Sequence, residues 1–321
     1  MRNIEEETKS RTITNEAIKR AITRSGYLIE QRVAEKLVMM GYYVDLNPTF
    51  FDKVTSKTRE VDISADSTYR SPQSSEGFIT GAHWKIVCEC ENNSQPIVFF
   101  PYEVDNPSER YLLIKYFGVP IKAWKEEQDV DILTFLGLRQ FHHYCEGEIA
   151  TQYCSFAKGK QGIDWIATHA EEQHETFDKL VAAIHYELEE FCKDWDLPEH
   201  DNEEPMYLEF KYPLIVLGGN LIAARLGKRG IKLKKARHIR YWKTAYINGE
   251  EENYIIDVIT EDYLGEYVSI IDKEMKKVRR LLISRKKIVK DSIIRILKEA
   301  RASESPTETY RQLICPPAVR R

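Results

Sequence analysis

The sequence predicts an α/β protein: a mixed β-sheet flanked by helices, with a C-terminal α+β extension. Apolar residues recur at helical spacing in several long segments. Between these, short segments rich in β-branched and aromatic residues alternate in polarity as half-buried strands do. A length of 321 residues, with 42% hydrophobic and 31% charged residues, allows a substantial core without a disulfide framework.

Two helices are predicted over residues 14–40, with a break near Ser25 and Gly26. In the second helix the apolar stripe consists of Ile29, Val33, Leu37 and Met40. Gly41 follows as a stop signal. Glu30 lies next to the stripe and therefore borders the face that is expected to be buried.

Three strands are predicted after these helices. The segments YYVDLNPTFFD, TREVDISAD and KIVCECE have strand-like composition. The segment STYRSPQSSEG, between the last two, is rich in Ser, Pro and Gly and is predicted to be a loop. The order is thus a helix followed by three strands.

The middle of the chain contains a predicted helix, SERYLLIKYFG, two predicted strands, DILTFLGL and EIATQYCSF, and a long acidic helix over 170–195. The polar, proline-bracketed stretch LPEHDNEEP then indicates a boundary near residue 200. We therefore expect a first unit over residues 1–200 that contains the three strands and ends with the acidic helix.

Residues 201–301 are predicted to form a basic α+β region that either stands apart or extends the same sheet. Its predicted strands are YLEFKYPLIVLGG, NLIAAR, RHIRYWKTAYI and NYIIDVIT, and two helices follow over 261–302. Asp257, in the last of these strands, is interpreted either as a second functional carboxylate or as a cap. Residues 302–321 are expected to be a loosely ordered tail.

Acidic residues line one face of two predicted strands. Since side chains two apart in a strand point the same way, Asp62 shares its face with Glu60 and Asp66, and Glu89 shares its face with Glu91. Lys85 lies on the same face as these two glutamates. If the two strands are neighbours, Asp62 and Glu89 stand side by side.

Such adjacent carboxylates repel one another unless a cation lies between them. Mg²⁺ prefers oxygen ligands and is commonly held by one or two carboxylates together with waters and phosphate oxygens. The pattern therefore predicts an Mg²⁺ (or Mn²⁺) site at Asp62, Glu89 and Glu91, suited to phosphodiester chemistry.

The helix with Glu30, then TREVDISAD, then KIVCECE, resembles the core of the PD-(D/E)XK, or restriction-endonuclease-like, nucleases. That family's pattern is an acidic helix residue, an aspartate at a strand end, and then Glu or Asp, any residue, and Lys on the next strand. Glu30, Asp62 and Glu89 match the acidic positions. The resemblance implies a restriction-endonuclease-like sheet and an endonuclease that hydrolyses DNA. Because many such nucleases act as dimers, it also makes a homodimer a candidate assembly.

The sequence departs from this pattern at Glu91, which stands where the family usually has lysine. In such sites the ammonium group is thought to orient water and offset charge at phosphorus. Three replacements are open: Glu91 acts as a further ligand or general base, or Lys85 or Lys115 supplies the positive charge. The first is favoured. A fourth interpretation is that the site no longer cuts.

A basic segment late in the chain is predicted to contact the phosphate backbone. The net charge of −4 gives no global basic field, so a polyanion must be met locally. Residues 228–243 are rich in Lys and Arg with few acids, and the candidate contacts are Lys232, Lys234, Lys235, Arg237 and Arg240. A second basic set lies in the two terminal helices. It has two interpretations: a further contact with the phosphate backbone, or a solvated surface.

Other features of the sequence limit the class of protein. The chain has no long apolar run for a membrane span, and its start, MRNIEEETKS, lacks the pattern of a secretory signal, so a cytoplasmic location is expected. Six cysteines are then expected to be thiols. Two hypotheses compete with the nuclease: an inactive nuclease-fold module that binds nucleic acid or protein, and a structural or assembly protein driven by opposite charges in its two halves.

Overall fold

A computed structural model describes residues 13–70, 80–159, 164–168, 171–198, 206–247 and 249–315. The strands are β1 (Tyr43–Leu46), β2 (Thr49–Asp52), β3 (Lys57–Glu60), β4 (Ile63–Arg70), β5 (Thr80–Glu91), β6 (Ile97–Tyr102), β7 (Lys115–Val119), β8 (Lys122–Lys125), β9 (Gln128–Asp131), β10 (Ile149–Lys158), β11 (Trp165–Thr168), β12 (Met206–Leu217), β13 (Leu221–Gly227), β14 (Gly230–Ala236), β15 (His238–Ile247) and β16 (Glu250–Thr260). The helices are α1 (Asn15–Arg24), α2 (Tyr27–Met39), α3 (Ile132–Leu136), α4 (Glu171–Asp194), α5 (Leu264–Ser284), α6 (Lys286–Arg301) and α7 (Pro306–Ile314).

One large mixed sheet organises the chain, as predicted for the α/β class. Its strand order is β1-β4-β5-β12-β16-β15-β10-β6-β13-β14, with β11 beside β10 and β7 beside β12. The centre, β5-β12-β16, is parallel, and β4 joins β5 in antiparallel register. Strands from both sides of residue 200 therefore belong to the same sheet. The hairpins β2-β3 and β8-β9 lie outside it.

Helices cover both faces of the sheet and separate its core into two clusters. On one face α2, α5, α6 and α7 bury their apolar stripes against residues such as Trp84, Ile86 and Cys88. On the other face α4 buries Phe177, Leu180 and Ile184 against residues such as Val87 and Ile215. Alternate residues of β5 thus enter different cores, which is why this central strand is buried along most of its length.

The break between α1 and α2 is fixed to the end of β5. The side-chain amide of Asn92 donates to the carbonyl oxygens of Thr23 and Ser25, each at 3.1 Å. The predicted break at Ser25 and Gly26 is confirmed, and so is the buried stripe that begins at Ile29. Because of this clamp, the first turn of α2 lies beside the carboxyl end of β5.

Three segments have a different structure from the one predicted. The first four residues of the predicted loop STYRSPQSSEG belong to β4, which ends at Arg70, and residues 71–77 lie outside the described chain. DILTFLGL forms the short helix α3, with Asp131 as its N-cap and Gly137, at φ 76°, as its C-cap. The apolar run between these two residues is short enough to be a strand, and this length concealed the two capping signals. SERYLLIKYFG is a 3₁₀ turn over Pro107–Leu113 followed by β7, because the aromatic and β-branched residues after Ile114 pair with β12.

Two further expectations are wrong. The region 302–321, expected to be a loose tail, contains α7, which buries Tyr310 and Ile314 against the core; residues 316–321 lie outside the described chain. Cys192 and Cys315, expected to be thiols, form a disulfide with a Cα–Cα distance of 5.8 Å that joins the end of α4 to the end of α7.

No helix in the described ranges is long and apolar enough to cross a membrane.

A buried charged network joins β15, β16 and α5 to the loop before β10. The ring of His143 contacts Glu274 through Nδ1 at 3.0 Å and Asp257 through Nε2 at 3.1 Å. Asp257 also accepts from Tyr267 at 2.9 Å and from His238 at 2.6 Å. Asp257, which the sequence left as a functional acid or a cap, is therefore a partner in this fully buried network.

The charge on His143 follows from its partners. Burial alone lowers the pKa of its imidazole, but Glu274 and Asp257 outweigh burial and raise this pKa to about 10. The neighbouring His142 accepts from the backbone N–H of Tyr144, and burial lowers its pKa to about 4. One ring is thus a cation between two carboxylates, and the other is neutral.

We predict that this network makes stability fall as pH rises above about 6.5. The folded pKa of His143 exceeds the unfolded value, so its contribution is complete below about pH 6.5 and is lost as pH rises toward 10. Urea unfolding at pH 6.5, 8 and 9.5 measures this slope, which is limited to about 1.4 kcal/mol per pH unit for one proton.

A His143→Phe variant should lose this slope and about 3–5 kcal/mol of unfolding free energy at pH 6.5, because two buried carboxylates lose their cation. His174→Gln, at an exposed position, is the control and should keep the slope. Equal slopes in His143→Phe and the parent would contradict the assignment.

Candidate functional site

The register of β4 and β5 brings Asp62 and Glu89 together. Ile63 pairs with Cys88, so Asp62, which lies in the short junction between β3 and β4 rather than within one long strand, is opposite Glu89. Its Oδ2 accepts from the backbone N–H of Cys90 at 2.7 Å. This hydrogen bond fixes the Asp62 carboxylate against β5.

Helix α4 lies over this acidic face and contributes a cation. The Nζ of Lys179 is 2.6 Å from Oε2 of Glu89 and 3.9 Å from Oδ1 of Asp62. The acidic face of the two strands is therefore partly covered, and Glu89 is only 4% exposed. Two carboxylates from the sheet thus converge on one ammonium group from the helix.

Glu30, on the first turn of α2, belongs to the same electrostatic cluster. Burial, and then the charge of Asp62, raise the pKa of Glu30, while Lys179 lowers it. The Asn92 clamp explains the placement, because it holds the start of α2 beside the end of β5. Glu30, Asp62 and Glu89 are therefore brought together from three separate segments.

The environment disfavours charge on the Glu89 carboxylate. Burial and the neighbouring Asp62 raise the pKa of Glu89 to about 8, against the opposing effect of Lys179. Burial also raises the pKa of Asp62, although the Cys90 N–H and Lys179 oppose this. Oε1 of Glu89 is buried and has no hydrogen-bond partner within the described chain. An acceptor of this kind is costly unless a donor or cation reaches it.

These residues fit a divalent oxygen-binding cation. Glu89 offers an unpaired oxygen, and Asp62 keeps Oδ1 free of backbone hydrogen bonds within the described ranges. With all three carboxylates ionised, Glu30, Asp62, Glu89 and Lys179 together carry two net negative charges, which one divalent ion would balance. Mg²⁺ and Mn²⁺ accept such a partial set of protein oxygens.

The remaining sequence candidates lie elsewhere. Glu91 is half-buried on the same face of β5, and its charge contributes to the raised pKa of Tyr153 on β10. Lys85 pairs with Glu187 at 3.3 Å and Asp66 at 3.6 Å. Lys115 lies in β7, where it pairs with Glu252 at 2.8 Å.

Among the described residues, Asp62, Glu89 and Glu91 do not form a group of three donors within 4.8 Å of one another; His142, His143 and Glu274 do. That group does not suit a metal ion, because both ring nitrogens of His143 already face carboxylates and carry protons in the charged ring. It is a structural ion cluster.

Lys179 is the site residue that sequence reasoning missed. It is one of two lysines in an acidic helix, ninety positions from its partner Glu89, and no motif links it to that glutamate. One weak signal was available: Lys179 lies four residues before Ala183, at the edge of the apolar stripe of α4, so a buried contact was plausible.

The predicted nucleic-acid residues divide into two groups. Lys232, Lys234 and Lys235 lie exposed on the edge strand β14. Arg237 forms an ion pair with Glu266 at 2.7 Å, and the half-buried Arg240 donates to the carbonyl oxygen of His143. The three lysines are thus available to a partner, whereas both arginines already have contacts within the chain.

A concave surface connects this basic segment with the end of β5. A cavity of about 500 Å³ is lined by Lys235 and Arg237 on one side and by Gly218 and Gly219 on another. The N–H of Gly218 donates to the carbonyl oxygen of Glu91 at 2.8 Å. The glycine loop is therefore a shared wall between the basic segment and the strand that carries Glu89.

Comparison of the chain with protein-family models, with curated proteins and with solved structures gives no match in any of the three. The class of site is accordingly defined by its geometry alone: a carboxylate cluster with one ammonium group, set between a mixed sheet and a helix.

We predict that the exposed lysines of β14 govern the salt dependence of nucleic-acid binding. Replacing Lys232 and Lys234 by Gln should lower the slope of log K against log salt by about 1 for each phosphate that is no longer neutralised. Fluorescence anisotropy over a salt series measures it. Lys287→Gln combined with Lys290→Gln, in α6, is the charge-matched control, and an equal fall in that control would refute a specific role for β14.

Proposed function

We propose that the protein is a metal-dependent nuclease with a restriction-endonuclease-like core that hydrolyses phosphodiester bonds of DNA. The observation that carries the proposal is the convergence of Asp62 and Glu89, from adjacent strands, on Lys179 Nζ at 3.9 and 2.6 Å. The order of α2, β4 and β5 around this point supports the family resemblance. The choice of DNA and a homodimeric assembly follow from the resemblance alone.

Asp62 and Glu89 are the proposed metal ligands, with Mg²⁺ or Mn²⁺ as the ion. When bound, the ion would polarise the phosphodiester and lower the pKa of an attacking water. Glu30 would act on the outer side of the cluster through its charge on Asp62. Glu91 keeps its proposed role as ligand or general base.

Lys179 is our candidate for the ammonium group that the family pattern places at position 91. It contacts Glu89 directly and faces Asp62, whereas Lys85 and Lys115 contact other carboxylates. A cation at this point can balance the carboxylates and can hold a phosphate oxygen as negative charge develops there. The missing lysine of the strand motif is thus proposed to be supplied by α4.

One observation favours a second candidate, an inactive nuclease-fold module that binds nucleic acid. The Lys179–Glu89 ion pair neutralises the very carboxylate that a metal needs, so the pair can also be interpreted as a site closed by an internal cation. The cleavage assay below separates the two candidates.

We predict that Asp62→Asn and Glu89→Gln each lower Mn²⁺-dependent plasmid nicking by about a hundredfold or more, since each removes a metal-binding carboxylate. Asp66→Asn is the matched control, because Asp66 lies in β4, four residues after Asp62, but pairs with Lys85. The readout is the rate of supercoil loss with Mn²⁺, with Mg²⁺ and with EDTA, after circular dichroism has shown that each variant is folded. Glu91→Gln in the same series tests the proposed ligand or base.

Binding of the plasmid by the parent protein without nicking in either metal would favour the inactive module. Nicking by Asp62→Asn at the rate of Asp66→Asn would rule out the proposed site.

A separate prediction concerns which lysine serves the reaction. Lys179→Met should lower the nicking rate by about fiftyfold or more, because it removes the ammonium group that faces the reacting phosphate. Lys85→Met should stay within about threefold of the parent, since its partners are Asp66 and Glu187. If Lys85→Met lowered the nicking rate more than Lys179→Met, Lys85 would be the lysine that serves the reaction.

A further inference from the structure

A second recess lies beside the carboxylate site, between the β2-β3 hairpin, α4 and β15. Its volume is about 440 Å³, within the range of small-molecule pockets. Aromatic side chains line it: Phe51 from the hairpin, Tyr186 from α4 and Tyr246 from β15. Phe51 is 48% exposed and Tyr246 is 70% exposed, so their ring faces are open to a planar ligand.

A histidine on α4 provides a polar anchor in this recess. His185 lines the cavity, is 6% exposed, and contacts Glu189 through Nε2 at 3.2 Å. Its Nδ1 is covered from solvent and has no hydrogen-bond partner in the described part of the chain, so the ring must turn slightly for a ligand to reach this atom. Because the ring donates its Nε2 proton to Glu189, a neutral His185 keeps a lone pair on Nδ1 as an acceptor. Burial lowers the pKa of His185 and so favours the neutral ring.

The hairpin wall is held in place before any ligand arrives. The buried carboxylate of Asp52 accepts from the backbone N–H groups of Val54 and Thr55 at 3.0 and 3.3 Å, and from the Thr55 hydroxyl at 2.7 Å. Arg59 approaches the same carboxylate at 3.4 Å. A preformed wall lowers the entropy cost of binding.

The recess and the carboxylate site share their supporting elements. The β2-β3 hairpin leads directly into Asp62, and α4 carries both Lys179 and the lining residues Ala182 and Tyr186. Tyr186 lies two helical turns beyond Lys179, about 10 Å along the helix axis. A nucleotide held at the recess is therefore a close neighbour of a phosphodiester held at Lys179.

We propose that this recess binds one unstacked nucleobase of the strand held at the carboxylate site, so that the substrate class is nucleic acid with an unpaired nucleotide near the cleaved bond. Phe51 and Tyr246 stack on the base, and Nδ1 of His185 accepts an N–H from its edge. This inference rests on the proposed nuclease function. A base paired within a duplex must first leave the stack to enter.

The test measures binding in EDTA, where cleavage does not contribute. The probes are a short fluorescein-labelled single strand of deoxyadenosines and a strand of the same length built of abasic nucleotides. We expect the parent protein to bind the base-containing strand at least about tenfold more tightly. Phe51→Ala and Tyr246→Ala should lose that ratio while binding of the abasic strand is unchanged, and His185→Phe should reduce it by about fivefold.

Tyr43→Ala, at an exposed tyrosine of β1, is the matched control and should keep the ratio. The proposal is overturned if Phe51→Ala and Tyr246→Ala keep the ratio as Tyr43→Ala does. It is also overturned if adenosine monophosphate binds as tightly as the strand, because the recess is then a site for a free nucleotide. Base-dependent binding without nicking in Mn²⁺ would refute the proposed nuclease function and support base binding in the recess. Nicking without base-dependent binding would support the nuclease function and refute base binding in the recess.

Discussion

The placement of α4 across the acidic face of β4 and β5 is the constraint on which the rest of the site depends. Without the helix, Asp62 and Glu89 would be solvated carboxylates on an open face of the sheet, with little reason for altered chemistry. With it, Glu89 is almost fully buried, its pKa rises, and its nearest cation is Lys179. Burial of like charges is costly, and here the ammonium group offsets only part of that cost. With its carboxylates ionised, the cluster therefore keeps a net negative charge.

The sheet explains how such a costly cluster is tolerated. Its parallel centre, β5-β12-β16, has helices on both faces, so the strand that carries Glu89 is fixed by cores on either side. On the α5 side, the cation at His143 holds Asp257 of β16 and Glu274 of α5. On the α4 side, Lys211 of β12 is buried between carboxylates. Each of these buried charges has an opposite partner, so none of them is left uncompensated beneath the site.

Features that follow from short-range periodicity could be predicted from the sequence. Contacts that follow from the packing of distant segments could not. Alternation along β5 correctly separated Cys88 and Cys90 from Glu89, and the spacing in α2 correctly identified its buried stripe. The helix α3 was misread as a strand because its apolar run is short, although Asp131 and Gly137 carry helix signals. Lys179 and the Cys192–Cys315 pair were missed because their partners are about a hundred residues away. Such contacts depend on how α4 lies against the sheet, which no local pattern encodes.

A single rigid helix connects the two functional proposals. The apolar stripe of α4 fixes its rotation, since Phe177, Leu180 and Ile184 must face the sheet. With that rotation set, Lys179 lies toward Glu89, and Ala182, His185 and Tyr186 lie toward the hairpin and β15. A shift of α4 by one turn, about 5.4 Å, would separate Lys179 from Glu89 and move His185 out of the recess together. The distance between a charged phosphate site and a stacking site is therefore set by helix geometry, and it stays constant for as long as the core beneath α4 is intact.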